Sequence, residues 1–254
     1  MFDEFDTFDH QYVLEVASAI DSARMSFHIQ GIHCAQNRHD ILYHECLARM
    51  AAPNGELYNA SEFVPALEVL QKTSLLDLHM IGEVLNRLEA DQTAVLGCNI
   101  SADTVSGEKE WPLILDQIQD RKHLTQRLVL EIIETRPLGI LSTLADRLEE
   151  AQSLGCRIAI DDFGAGYLPP IQLYSLNPDI IKIDAGFIWA TRQDDSWLNS
   201  IHHFVQFATS FAPIVVAEGI ETESDLIRAE KIGFTHVQGW HLSKPVSLPA
   251  MRNI

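Results

Sequence analysis

Eight short apolar runs punctuate this chain at near-regular intervals, and they restrict its fold more than any other feature. They are residues 25–32 (MSFHIQGI), 41–48 (ILYHECLA), 94–100 (AVLGCNI), 127–132 (RLVLEI), 156–161 (CRIAID), 179–184 (DIIKID), 213–218 (PIVVAE) and 235–238 (THVQ). Runs this short and this continuously apolar read as strands covered on both faces. Helix-like stretches lie between most of them. From Ser74 to Ala90, the residues Leu75, Leu78, Met80, Ile81, Val84, Leu85 and Leu88 trace one apolar face. Thr222-Glu223-Ser224-Asp225 fits a capping box that opens a helix ending near Gly233. In 196–211, Trp197, Phe204, Phe207 and Phe211 recur at helical spacing, which suits a core or a subunit face.

Strands alternating with helices point to a parallel sheet with both faces covered, and eight units in 254 residues favour a closed (β/α)8 barrel of α/β class over an open doubly wound sheet. No G-x-G-x-x-G follows the first run. The first two runs are joined by only about ten residues without a helix, too few for a parallel crossover, so an antiparallel first pair is expected. No linker or repeat divides the chain. Residues 1–17 read as an acidic lead-in and 18–254 as the barrel domain.

Acidic residues outnumber basic ones 36 to 18, and the net charge of -18 opposes non-specific binding to double-stranded nucleic acid or an anionic membrane. The same charge suits cations. The four cysteines, Cys34, Cys46, Cys98 and Cys156, show neither zinc-ligand spacing nor a disulfide framework, which fits a reducing cytoplasm. The N-terminus lacks the basic start and apolar centre of a signal peptide, and no run reaches 18 apolar residues.

In such a barrel the site is built at the C-terminal ends of the strands. The residues ending the runs are Glu45, Asn99, Glu131, Asp161, Asp162, Lys182, Glu218 and Gln238. Adjacent Asp161 and Asp162 taken alone also fit a turn, but acids pooled at strand ends call for cations. Carboxylate and amide oxygens without His or Cys select hard ions, Mg2+ or Mn2+. This many acids suits two ions about 3.5–4 Å apart, the arrangement that cleaves phosphate esters. Lys182 would orient or help deprotonate the attacking water; its other reading is an ion-pair partner of Asp161 or Glu218.

These blocks, in this order, resemble the EAL-domain family of bacterial cyclic di-GMP phosphodiesterases. The motif that names the family reads Glu45-Cys46-Leu47 followed by Arg49. The later blocks are Asn99-Ile100-Ser101, Glu131-Ile132-Ile133-Glu134, Asp161-Asp162-Phe163-Gly164, Lys182-Ile183-Asp184, Ala217-Glu218-Gly219-Ile220-Glu221-Thr222 and Gln238-Gly239. The resemblance spans about Ser18 to Val246 and implies a modified TIM barrel with an antiparallel first strand. It implies Glu45, Asn99, Glu131, Asp161, Asp162 and Glu218 as metal ligands, Asp161 bridging, with Lys182, Glu218 and Glu45 in catalysis. Gln30, Leu47, Arg49, Asp184 and Gln238 correspond to substrate contacts, and Glu134 and Glu221 to glutamates behind the ligands. It further implies two Mg2+ or Mn2+ ions, Ca2+ as an inhibitor, a homodimer, and a possible sensory or GGDEF-type domain elsewhere.

Several positions depart from the family. Ala165 stands for threonine, Leu168-Pro169-Pro170 for Ser-Ser-Leu, Cys46 for alanine, Gly31 for proline, and Ala185-Gly186 for the frequent Arg-Ser. The metal shell is complete while the loop after Asp162 is altered. An active phosphodiesterase is therefore expected, and a cyclic di-GMP receptor or protein-binding adaptor without turnover is the alternative. Asp162-Phe163-Gly164 also imitates a kinase triplet, but no H-R-D loop accompanies it. His39-Asp40 lacks the further ligands of an HD-type phosphohydrolase, and His202-His203 fall in a helix.

Overall fold

The computed structural model describes residues 3–133, 141–166 and 168–248. Ten strands form along the chain: β1 Met25–Cys34, β2 Ile41–Ala51, β3 Leu57–Asn59, β4 Leu96–Ser101, β5 Leu128–Ile133, β6 Arg157–Phe163, β7 Ile180–Ile183, β8 Ile214–Ala217, β9 His236–Val237 and β10 Val246–Ser247. Each of the eight apolar runs contains one barrel strand. β2, β4, β5, β6, β7, β8 and β9 pair in parallel order. β1 closes the ring, antiparallel to both β2 and β9. The antiparallel first pair thus stands as expected, in register from Met25 opposite Met50 to Gln30 opposite Glu45.

Two strands escaped the sequence reading. β3 folds back on the far end of β2 through Pro53-Asn54-Gly55, and β10 pairs with β1 outside the barrel. They are three and two residues long, too short to carry a period of their own.

Helices cover the outside. Helix Thr73–Ala90 buries Leu76, Met80, Ile81, Val84, Leu85 and Leu88 against β4, as its apolar face demands. Helix Glu223–Ile232 opens on the expected box: Thr222 Oγ1 accepts from Asp225 N at 3.2 Å, and Asp225 Oδ2 accepts from Thr222 N at 2.9 Å. It ends on Gly233 at φ 102°, a left-handed turn that glycine adopts without strain. The aromatics of helix Trp197–Thr209 divide, with Phe204 packed inward and Trp197 and Phe207 exposed. Helix Asp3–Asp21 runs unbroken through residues 17 and 18, and Val16 and Ala19 on it are buried. Among the described residues no helix is long and apolar enough to cross a membrane.

The barrel interior is layered by the two-residue period of its strands. Ile32, Tyr43, Val129, Ala159, Ile180 and Val216 make one closed apolar cluster inside. On the parallel strands, two residues further toward the C-terminal mouth, the inward positions are Glu45, Glu131, Asp161, Lys182 and Glu218. Gln30 is the counterpart on antiparallel β1, two residues before Ile32.

Candidate metal centre

Lys182 stands at the middle of the upper layer. Its Nζ lies 2.8 Å from Glu131 Oε2, 2.8 Å from Asp161 Oδ1, 3.1 Å from Glu218 Oε1 and 3.3 Å from Glu45 Oε2. The four acids come from β2, β5, β6 and the end of β8, so the closed ring of strands brings them together. Asn99 on β4 donates through Nδ2 to Glu45 Oε1 at 2.8 Å, and Gln238 donates to Glu45 Oε2 at 2.7 Å. Gln238 also lies 3.4 Å from Gln30 Oε1, while Gln30 Nε2 is anchored on Ser243 O at 2.9 Å.

Two carboxylate trios share one member. Glu45, Glu131 and Asp161 offer oxygens all within 4.8 Å of one another, and so do Asp161, Asp162 and Glu218. Asp162 holds φ 49°, a left-handed backbone uncommon for a non-glycine residue. That turn lets two consecutive aspartates face one centre, where an extended strand would send them to opposite faces. Gly164 follows at φ 99°, and a Cβ there would lie 2.6 Å from the Phe187 ring. Phe163, Phe204 and Phe187 stack beneath this turn, with centroids 5.3 and 4.9 Å apart.

The electrostatics are those of a centre short of positive charge. Burial drives the Glu131 carboxyl up to about 8 against the pull of Lys182, and burial likewise raises Asp161 and Glu218. Asp162 rises to about 6, by desolvation and then by the Asp161 charge. Burial also acts on Glu45, but Lys182 and the two amide donors outweigh it and hold its pKa below the usual range. Burial opposes the Lys182 charge, and the surrounding acids overcome it, so its proton is held more tightly than in water.

Oxygen donors are left over. Asn99 Oδ1 and Glu131 Oε1 are buried without a hydrogen-bond partner. Unpaired buried oxygens cost free energy unless a donor or cation meets them. Two carboxylate trios, an amide oxygen and no sulfur or imidazole ligand form a donor set that fits hard divalent cations. Five carboxylates against one ammonium leave a formal charge of about -4, which two divalent cations would cancel.

Other expected site residues lie above or beside this layer. Leu47 and Arg49 continue the inward face of β2 beyond Glu45; Arg49 is buried and donates to the carbonyls of Leu47 (3.2 Å) and Ala48 (2.8 Å). Asp184 caps helix Ala185–Gln193, accepting from Gly186 N at 2.9 Å. Glu221 is not gathered against the acids. It is exposed and ion-paired to Arg192 at 3.0 Å, and Arg192 also grips Asp225 at 2.8 Å. Glu134 lies outside the described residues.

Sequence reasoning missed two supports. Tyr43 has a buried, unpartnered hydroxyl, and Gly97 leaves the space Glu131 fills: a Cβ there would stand 2.1 Å from Glu131 Oε1. Both occupy the position two residues before a named ligand, Glu45 or Asn99. Strand alternation was the signal that could have found them.

The model of the EAL domain family matches residues 14–245. Among curated proteins the chain is similar to the cyclic di-GMP phosphodiesterase PdeF of Escherichia coli K12, 28% identical over 82% of this chain and 28% of that protein. It is also similar to the probable cyclic di-GMP phosphodiesterase PdeG of the same organism, 30% identical over 80% of this chain and 41% of that protein. It therefore spans less than half the length of these relatives. Among solved structures it is similar to an EAL domain protein from Listeria monocytogenes, with TM-score 0.79 at 22% identity, covering 92% of this chain and 94% of that one. The PaMucR phosphodiesterase in complex with c-di-GMP gives TM-score 0.78 at 23% identity, covering 93% and 98%. With strand order, carboxylate ring and family match in agreement, the chain belongs to the EAL domain family.

Proposed function

We propose that this domain is a metal-dependent phosphodiesterase that hydrolyses cyclic di-GMP to linear pGpG. One observation carries the reading: two carboxylate trios meet at Asp161, around a lysine that cannot neutralise them alone. The relatives' names support the substrate. Glu45, Asn99, Glu131, Asp161, Asp162 and Glu218 would hold two Mg2+ or Mn2+ ions, with Asp161 common to both. Bound there, the ions would supply the Lewis acidity that activates water and offsets charge at phosphorus.

The chain's own groups do the rest. Arg49 contacts a phosphate oxygen, and Leu47, Asp184, Gln30 and Gln238 line the approach as substrate contacts. Lys182, holding its proton, donates hydrogen bonds that orient the attacking water, with Glu45 and Glu218 beside it. The water oxygen bonds to phosphorus as the P–O3′ bond breaks, leaving a 5′-phosphate and a 3′-hydroxyl. Ca2+ would fill the site without supporting turnover. A homodimer and a sensory or GGDEF-type domain in a longer protein complete the proposal.

The test is product formation. Purified protein with cyclic di-GMP and Mg2+ or Mn2+ should yield pGpG on chromatography, and Glu45→Ala should abolish it. Tight nucleotide binding without product, unchanged in Glu45→Ala, would make the domain a receptor.

A further inference from the structure

Glu45 and Asn99 face the barrel interior, so their chain neighbours Cys46 and Cys98 face outward, beneath the helices. These two cysteines are register partners on parallel β2 and β4. Pairing of that kind sets their Cα atoms about 5 Å apart with both sulfurs on one side of the sheet. Both are free thiols, 3% and 1% exposed. Both line a cavity of about 370 Å³ that opens beside Glu45, Asn99 and Asp161, and the Met80 thioether lines it too.

We propose that Cys46, Cys98 and Met80 form a soft-donor site for Cu(I), set on the outer wall of the strands that carry Glu45 and Asn99. Thiolate and thioether sulfur select soft cations, whereas the oxygen ring inside the barrel selects hard ones. Zinc is disfavoured by ligand count. It wants four donors, and among the described residues neither cysteine belongs to a group of three or more His, Cys, Asp or Glu placed to hold one ion. Cu(I) is satisfied by two or three sulfurs.

The chemistry balances without a redox step. Two S–H bonds give way to two S–Cu bonds, both protons pass to solvent, and copper stays in its +1 state. The bis-thiolate complex carries one negative charge. Arg87 Nε is buried with no hydrogen-bond partner, and the Arg87 charge is felt at Cys46.

Occupancy has a consequence inside the barrel. Cys46 is joined to Glu45 and Cys98 to Asn99, and those two neighbours share a 2.8 Å hydrogen bond. Sulfurs drawn onto one ion shift both strands, so Cu(I) should weaken divalent binding at the oxygen ring. The binding claim itself stands on the strand register and the shared cavity, and is independent of the phosphodiesterase reading.

The experiment is an anaerobic competition between the whole purified chain and bicinchoninate for Cu(I), followed by the colour of the chelator complex. The expected result is one Cu(I) withdrawn per chain. Cys46→Ala and Cys98→Val, with folding verified by circular dichroism, should each weaken binding by about 100-fold, and Met80→Leu by about 10-fold. Cys34→Ser should leave it unchanged. Failure of the unaltered chain to compete overturns the proposal, as does full retention of Cu(I) by a folded Cys46→Ala or Cys98→Val variant. No nucleotide is present, so a negative result leaves the hydrolysis assay untouched.

Discussion

The two interior layers of the barrel are built by the same strands, one residue pair apart, and differ in almost everything else. The lower layer, Ile32, Tyr43, Val129, Ala159, Ile180 and Val216, is apolar apart from one hydroxyl and closed. The upper layer places four acids within 3.3 Å of one lysine. Burial stabilises the first by removing apolar surface from water. In the second the same burial opposes ionisation of the acids, and without added cations they remain in conflict. The lower layer is thus a stability device, and the upper layer gives up stability to keep charge buried.

The largest expected effects separate the layers outright. Asp161→Asn should lower kcat/KM by about 10³-fold, because it touches both carboxylate trios. In metal-free buffer the same variant should melt no lower than the parent, since a repelling charge has gone. Its melting temperature should no longer rise with Mg2+ or Mn2+. Ile180→Ala, one layer down, should show the opposite pattern: a loss of about 3 kcal/mol in denaturant unfolding from the cavity it leaves, with the metal-induced rise retained. Equal thermal penalties for the two variants would break the comparison.

Gly97→Ala probes the seam between the layers. The new methyl would stand 2.1 Å from Glu131 Oε1 and 2.6 Å from the Tyr43 ring, so the glutamate must move. Turnover should fall by about 10- to 100-fold, the range seen when the support of a metal ligand is disturbed. Isothermal titration with Mn2+ should show a matching loss of affinity. Unchanged affinity would mean that Glu131 does not hold metal.

The sequence made the barrel legible because its eight strands are largely buried and so read as apolar runs. It made the oxygen ring legible because Glu131, Asp161, Lys182 and Glu218 interrupt or end such runs at the expected side of the barrel. What escaped was set by contacts distant in sequence. β3 and β10 exist only because β2 and β1 offer them edges. Glu221 lies three residues beyond Glu218, in a turn whose course is fixed by Arg192 on another helix, so strand alternation no longer says where it points. Asp184, by contrast, falls past the last residue of β7 and is recruited locally, as the cap of the helix that begins at the next residue. Lys182 pairs with both Asp161 and Glu218, as its ion-pair reading expected, and stands at the centre of the candidate site.

Asp77 offers the finest test, because it is a buried acid held without any cation. Its Oδ2 accepts from Ser101 N at 3.0 Å, Ser101 Oγ at 3.0 Å and Thr104 Oγ1 at 2.6 Å. Burial nevertheless lifts its pKa from 3.8 to about 6, those hydrogen bonds opposing the rise. The folded chain therefore binds the proton more tightly than the unfolded chain between those two values. Unfolding releases it there, and the contribution of Asp77 to stability declines as pH climbs from about 4 to about 6, then levels off. Asp77→Asn should flatten that part of the profile by an amount on the order of 1 kcal/mol in urea unfolding. Its effect should be the same with and without Mg2+, in contrast to Asp161→Asn, because no shared cation links this carboxylate to the ring inside the barrel. A magnesium-dependent change in Asp77→Asn would instead tie the helix layer to the metal centre through Ser101, two residues beyond Asn99.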